Sequence, residues 1–114
     1  QVETVPALAN IEAIAAVDGI DALFVGPADL AASMGHVGQP NHPDVLAAAL
    51  DAFARIRAAG RAAGILTRDE AFARRAIEEG ALIVGLGLDT LVLAAETAAL
   101  AGRFKASEAP PRSG

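Results

Sequence analysis

The sequence has no cysteine, tryptophan or tyrosine, one methionine, Met34, and one lysine, Lys105. Without cysteine there are no disulfides, thiolate ligands or thiol nucleophiles, which accords with a reducing, cytoplasmic setting. Basic residues number 9 against 14 acidic ones, for a net charge of −5, and they form no stripe. That excludes the electrostatic footprint of a nucleic-acid binder. No apolar run approaches the roughly 18 residues of a membrane helix, and no signal-peptide pattern opens the chain.

What is present is the material of an α/β layer protein. The 114 residues are 54% hydrophobic, with alanine-rich stretches around short runs of Val, Ile, Leu and Phe. The length suits one domain with a modest core. The chain opens on Gln1, and Gln1-Val2-Glu3 reads as the end of a strand already under way. The expectation is the C-terminal portion of a longer protein.

The order strand, loop, helix recurs four times. A strand stub at 1–3 precedes a helix over about 5–16, with Thr4 as N-cap, Pro6 in the first turn and Asp18-Gly19 as the stop. Ala22-Leu23-Phe24-Val25 is a continuous apolar run of the kind buried on both faces of a parallel sheet. A Gly/Pro-dotted segment follows, with one helical turn at 28–33. Pro43 opens what reads as the longest helix, 43–59, through Leu46, Leu50, Phe53 and Ile56 or Arg57 at helical spacing, with Asp51 and Arg55 as an i,i+4 pair. The third strand is 62–66. Thr67 with Glu70 makes a capping-box pattern before a helix ending at Glu79-Gly80. The fourth strand is 82–86, and Asp89 or Thr90 starts a last helix ending near Gly102. Residues 105–114 read as a flexible tail.

Such alternation implies βαβ units and a parallel sheet, either doubly wound or half of an eight-stranded barrel. A full barrel takes about 250 residues. Four units in 114 residues therefore favour the C-terminal half of a (β/α)8 TIM barrel.

Two acids stand at matching strand ends, Glu3 and Asp29, 26 positions apart, which is about one strand–helix–strand repeat. Neighbouring strands lie roughly 4.8 Å apart, so one hard divalent cation such as Mg²⁺ or Mn²⁺ could take both carboxylates. Alternatively, Glu3 is a solvated strand-end acid and Asp29 an N-cap. Between them, Gly26 permits close backbone approach of a ligand, Pro27 stiffens the turn, and the Ala28 and Asp29 amides open a helical turn. His36 and His42 read as loop-ordering and helix-start residues rather than catalytic bases, since no carboxylate is evidently paired with either. Gly85-Leu86-Gly87 lacks the basic neighbours of a phosphate site, and Glu78-Glu79 reads as a solvated helix end.

The stretches Gln1-Val2-Glu3-Thr4, Val25-Gly26-Pro27-Ala28-Asp29-Leu30 and Met34-Gly35-His36-x-Gly38-x-Pro40-x-His42-Pro43 resemble the HpcH/HpaI aldolases. Ala63-Gly64-Ile65-Leu66 and Val84-Gly85-Leu86-Gly87-Leu88-Asp89-Thr90 fit the same family, so the resemblance covers about residues 1–104, the C-terminal half of the barrel domain. It implies a lyase cleaving 4-hydroxy-2-oxo acids (2-oxo-3-deoxy sugar acids or dicarboxylates) to pyruvate and an aldehyde through a metal-stabilised enolate. It implies Glu3 and Asp29 as ligands of Mg²⁺, Mn²⁺ or Co²⁺. Gly26, Pro27, Ala28 and Asp29 would line the pyruvate site, and Leu66 would face the aldehyde end. It also implies a homo-oligomer, usually a hexamer built from dimers that exchange their last helix. The family's His–Asp acid/base pair and substrate-clamping Arg belong to the N-terminal half, so no catalytic residue is assigned here. Thr67-Arg68 and Leu86-Gly87-Leu88 depart from the common family pattern and bear on substrate preference.

The metal route agrees with the lysine count, because a Schiff base would need a lysine and Lys105 falls in the tail. The alternatives are a citrate lyase- or malyl-CoA lyase-like enzyme acting on acyl-CoA thioesters, for which no CoA-binding basic cluster is visible, and a non-catalytic half-barrel. The half-chain by itself is expected to be inactive.

Overall fold

The sheet is wholly parallel and its strands lie in chain order. A computed structural model describes residues 1–107. It places α1 at Val5–Ala9, α2 at Ile11–Ala15, β1 at Ala22–Val25, α3 at Pro27–Ser33, α4 at Pro43–Ala58, β2 at Ala62–Leu66, α5 at Glu70–Glu78, β3 at Ile83–Gly85 and α6 at Asp89–Ser107. β1 pairs with β2 and β2 with β3. Val2 adds an isolated parallel bridge to Val25 on the other side of β1. A doubly wound sheet reverses its strand order partway. Here the order never reverses, which is the arrangement of a barrel sector.

Residue parity divides the sheet into two faces. Leu23, Val25, Ala63 and Ile65 are buried in one cluster with Ile11, Leu30, Val45, Ala49, Phe53 and Ile56. On the opposite parity, Phe24, Gly64 and Ile83 are in register. There Phe24 is only half-buried and Ile83 is exposed. Gly64 is required on this face, since a Cβ would lie 2.6 Å from the Phe24 ring and 3.1 Å from Ile83. The open face is the one a complete barrel would enclose.

The helices depart from the sequence reading in instructive ways. The single helix expected over 5–16 is two, broken at Asn10, whose side chain donates to the Pro6 carbonyl at 2.9 Å. Asparagine offers the backbone a local alternative to the helical ladder. The buried stripe of α4 is Val45, Ala49, Ala52, Phe53 and Ile56, while Leu46 and Leu50 pack at its margin. Phe53 and Ile56 are buried as expected, while in the first turns the stripe is shifted by one residue, Val45 and Ala49 taking the places expected of Leu46 and Leu50. Asp69, not Thr67, caps α5, accepting from the Phe72 amide at 3.0 Å. Thr67 instead accepts from the Asp69 amide at 3.2 Å.

The longest helix is α6, not α4. It continues through Gly102 to Ser107, so positions 105–107 are helical, and 108–114 of the predicted tail lie outside the described residues. Residues 89–105 are exposed throughout, and the longest dimension of the chain is 74 Å. No described helix is long and apolar enough to cross a membrane.

Arg55 ties α2 to α4 through a two-pronged contact with Glu12, at 2.7 and 2.6 Å, and also meets Asp51 at 3.6 Å. The Arg55 guanidinium holds the Glu12 carboxyl down, from 4.5 to about 2, with a backbone hydrogen bond assisting. A lowered folded-state value means stability present at neutral pH and lost as pH falls from about 4.5 towards 2. In the full-length protein, Glu12→Gln should lower Tm slightly at pH 7 and progressively less on acidification through that window. Raised salt should shrink the difference, since the pair is exposed. A Tm gap independent of pH would show that the pair is electrostatically idle.

Candidate active site

The bridge at Val2 builds one wall of the site. The Val2 amide donates to the Phe24 carbonyl at 2.8 Å and the Gly26 amide to the Val2 carbonyl at 3.0 Å. These bonds set Glu3 directly against Gly26, where a Cβ would come within 3.0 Å of Glu3 Oε2 and 3.1 Å of its Cβ. Gly26 has an ordinary φ of −100° and is the N-cap of α3. The constraint there is space for the Glu3 side chain rather than backbone freedom.

Pro27 is the first residue of α3, one position earlier than expected, which puts Ala28 and Asp29 in its first turn. First-turn N–H groups have no intrahelical acceptors, and an acid there is favoured by the helix dipole. Glu3, Gly26, Pro27, Ala28, Asp29 and Leu66 all line one cavity of about 580 Å³ at the C-terminal ends of the strands. Every sequence-predicted site residue therefore falls in a single place.

Charge in this cavity is unbalanced. Its described acids are Glu3, Asp29 and Asp69, against one cation, Arg68. Asp69 is occupied in capping α5. Among the described residues, neither Glu3 nor Asp29 belongs to an ion pair. Two carboxylates in one cavity without a protein cation form a hard-oxygen donor set that a divalent cation would neutralise, with positions left over for water or substrate oxygens. The residues fit such an ion.

Sequence reading tied Thr67-Arg68 to substrate preference without placing them, Phe24 or Asp69 at the cavity, which all four line. Thr67 is nearly buried, and its hydroxyl holds the Asp69 amide where β2 turns into α5. The signal for Phe24 was available in strand parity, because it alternates with the buried Leu23 and Val25.

The histidines do have a carboxylate, contrary to expectation. Their rings stack at 3.6 Å, with His36 Nε2 lying 3.5 Å and His42 Nδ1 3.7 Å from Asp44 Oδ2. The His42 side chain caps α4, its Nδ1 accepting from the Asp44 amide at 3.3 Å. The three groups lie within 4.8 Å of one another, close enough for a shared ion, yet the rings are within 13° of parallel. Imidazole lone pairs lie in the ring planes, so a single ion cannot be in line with both. The trio orders the loop before α4, and Pro40 and Asn41 of that loop line the cavity.

Residues 1–95 match the family model described as HpcH/HpaI aldolase/citrate lyase. A hydroxypyruvate/pyruvate aldolase of Pseudomonas aeruginosa is 55% identical over 97% of this chain and 41% of its own length. A 4-hydroxy-2-oxovalerate aldolase of Rhodococcus jostii is 56% identical over 91% of the chain and 40% of its own. Among solved structures, an HpcH/HpaI aldolase from Desulfitobacterium hafniense superposes with a TM-score of 0.82 at 32% identity, covering 98% of this chain and 43% of that one. The chain thus spans about two-fifths of the length of these relatives, as a half-barrel. By motif, strand order and sequence, it belongs to the HpcH/HpaI aldolase/citrate lyase family.

Proposed function

We propose that the whole protein is a metal-dependent aldolase that cleaves 4-hydroxy-2-oxo acids to pyruvate and an aldehyde, and that this chain supplies its metal ligands and pyruvate floor. The observation that carries this reading is the convergence of Glu3 and Asp29, both without a described protein cation, on one cavity at the strand ends. The aldolases among the relatives support the reaction class.

In the cleavage direction the bond between C3 and C4 breaks as the 4-hydroxyl gives up its proton. The electron pair passes to C3 and on to the keto oxygen, and protonation of C3 completes pyruvate. A Mg²⁺, Mn²⁺ or Co²⁺ ion held by Glu3 and Asp29 would supply Lewis-acid stabilisation of the charge on that oxygen. Gly26 leaves room for the Glu3 carboxylate, and Pro27 and Ala28 present the first turn of α3 to the substrate carboxylate. Phe24 and Leu66 exclude water from the apolar wall. The acid/base groups that take the hydroxyl proton belong to the remainder of the barrel.

The assembly is a homo-oligomer, a hexamer by family resemblance, in the cytoplasm. Its support is the apolar surface left exposed along α6, Leu93 and Leu100 among it. Patches of this kind mark interfaces. Residues 1–104 would form the barrel portion, with the tail following.

Three outcomes follow. Losing an outer-shell partner costs about 10–100-fold in metal affinity. Asp29→Asn, which removes the charge of a ligand itself, should therefore weaken Mn²⁺ binding by at least about 100-fold with Tm nearly unchanged; wild-type affinity would reduce Asp29 to a helix-start acid. Gly26→Ala should displace the Glu3 carboxylate and weaken Mn²⁺ binding by about 10–100-fold, and unaltered affinity would show that Glu3 is no ligand. Residues 1–114 alone should be inactive and should self-associate through the open sheet face, becoming a compact metal-binding barrel on mixing with the rest of the protein. A monodisperse fragment with its own turnover would contradict the half-barrel account.

A further inference from the structure

Arg68 has no role in the chemistry described so far. It is exposed, and no ion pair or hydrogen bond engages its guanidinium among the described residues. It lies two residues beyond the end of β2, on the rim shared by the 580 Å³ cavity and a neighbouring one of about 400 Å³ that Arg74, Ile77 and Leu86 also line. The hydroxyl of Thr67 pins the turn on its C-terminal side, and Asp69 is fixed as the cap of α5. A solvated arginine would be unremarkable on an outer helix face. This one is held at the mouth of the site by a braced turn, as the single described cation among three acids.

We propose that Arg68 is a specificity-determining residue that binds a carboxylate on the aldehyde half of the substrate, so that the enzyme prefers 2-oxo acids carrying a second, distal carboxylate. This rests on the aldolase reading. The keto-acid end of the substrate is fixed beside Glu3 and Asp29, next to β1, and the rest of the molecule extends across the cavity. β2 is the strand adjoining β1 on the side away from Val2. A chain running from the metal ligands past Leu66 reaches Arg68 at the rim. The guanidinium offers the paired donors that suit a carboxylate. With Asp69 beside it and no second Arg or Lys among the described residues that line the cavity, Arg68 is a poor match for a phosphate dianion, which would need more than one cation.

The test compares aldol addition of pyruvate to three acceptors by the full-length, Mn²⁺-loaded enzyme. These are 4-oxobutanoate, its methyl ester, which keeps the carbon chain without the charge, and glyceraldehyde 3-phosphate. Wild type should favour 4-oxobutanoate over both. Arg68→Ala should lower kcat/KM for 4-oxobutanoate by about 10–100-fold, the range expected for losing a charge-assisted contact, and leave the ester and the KM for pyruvate within about twofold. Arg68→Lys should recover part of the loss. Equal losses with 4-oxobutanoate and the ester would make Arg68 merely structural, and a raised KM for pyruvate would make it a clamp on the keto acid; either overturns the proposal. A preference for the phosphorylated acceptor overturns the carboxylate assignment. Absence of turnover by wild type with every acceptor overturns the aldolase reading, and this inference with it.

Discussion

Two backbone hydrogen bonds at Val2 carry the whole arrangement. They join a three-residue stub to β1 and thereby place the Glu3 carboxylate at the height of Gly26, where the chain leaves the sheet. Parallel pairing repeats the same side-chain height on adjacent strands. An acid following one strand end and an acid in the first turn after the next are thus delivered to the same cavity. The absence of a side chain at Gly26 is what leaves room there for the Glu3 carboxylate. Were the stub to slip by one residue, Glu3 would change faces and leave the cavity that Asp29 also lines.

The same logic of faces separates stability from function. The parity that holds Leu23, Val25 and Ile65 is sealed by the alanine-lined stripe of α4 and gives the fold its core. The other parity, with Phe24, Gly64 and Ile83, stays open along this half and ends in the cavity. Core and site therefore lie on opposite sides of one thin sheet. Substitutions at Phe53 or Ile56 should be felt as stability, and substitutions at the strand ends as chemistry.

Much of this was legible in the sequence because it depends on local chemistry. Apolar runs, Gly stops and the Pro at helix starts marked the elements, and four strand–helix units in 114 residues made a half-barrel the natural reading. The candidate ligands were legible because each acid closely follows an apolar strand, Glu3 at the end of the stub and Asp29 in the turn after β1. What escaped depends on contacts between distant residues or on competition between neighbours. The break at Asn10 comes from a side chain returning to Pro6, and the cap of α5 went to Asp69 because Thr67 was already engaged with the Asp69 amide. Asp44 could be seen beside His42 in sequence, but its approach to His36 needs the loop to fold back. The extent of α6 was misjudged at Gly102, a residue that weakens a helix by only about 1 kcal/mol and does not end this one.

The central claim is that Glu3 and Asp29 hold one ion between them. Anomalous diffraction from crystals of the full-length enzyme grown with Mn²⁺ tests it most directly. The account predicts one strong peak within about 2.0–2.3 Å of a carboxylate oxygen from each residue, at the strand-end cavity beside Gly26. A peak at the His36–His42–Asp44 trio with none between Glu3 and Asp29 would contradict it.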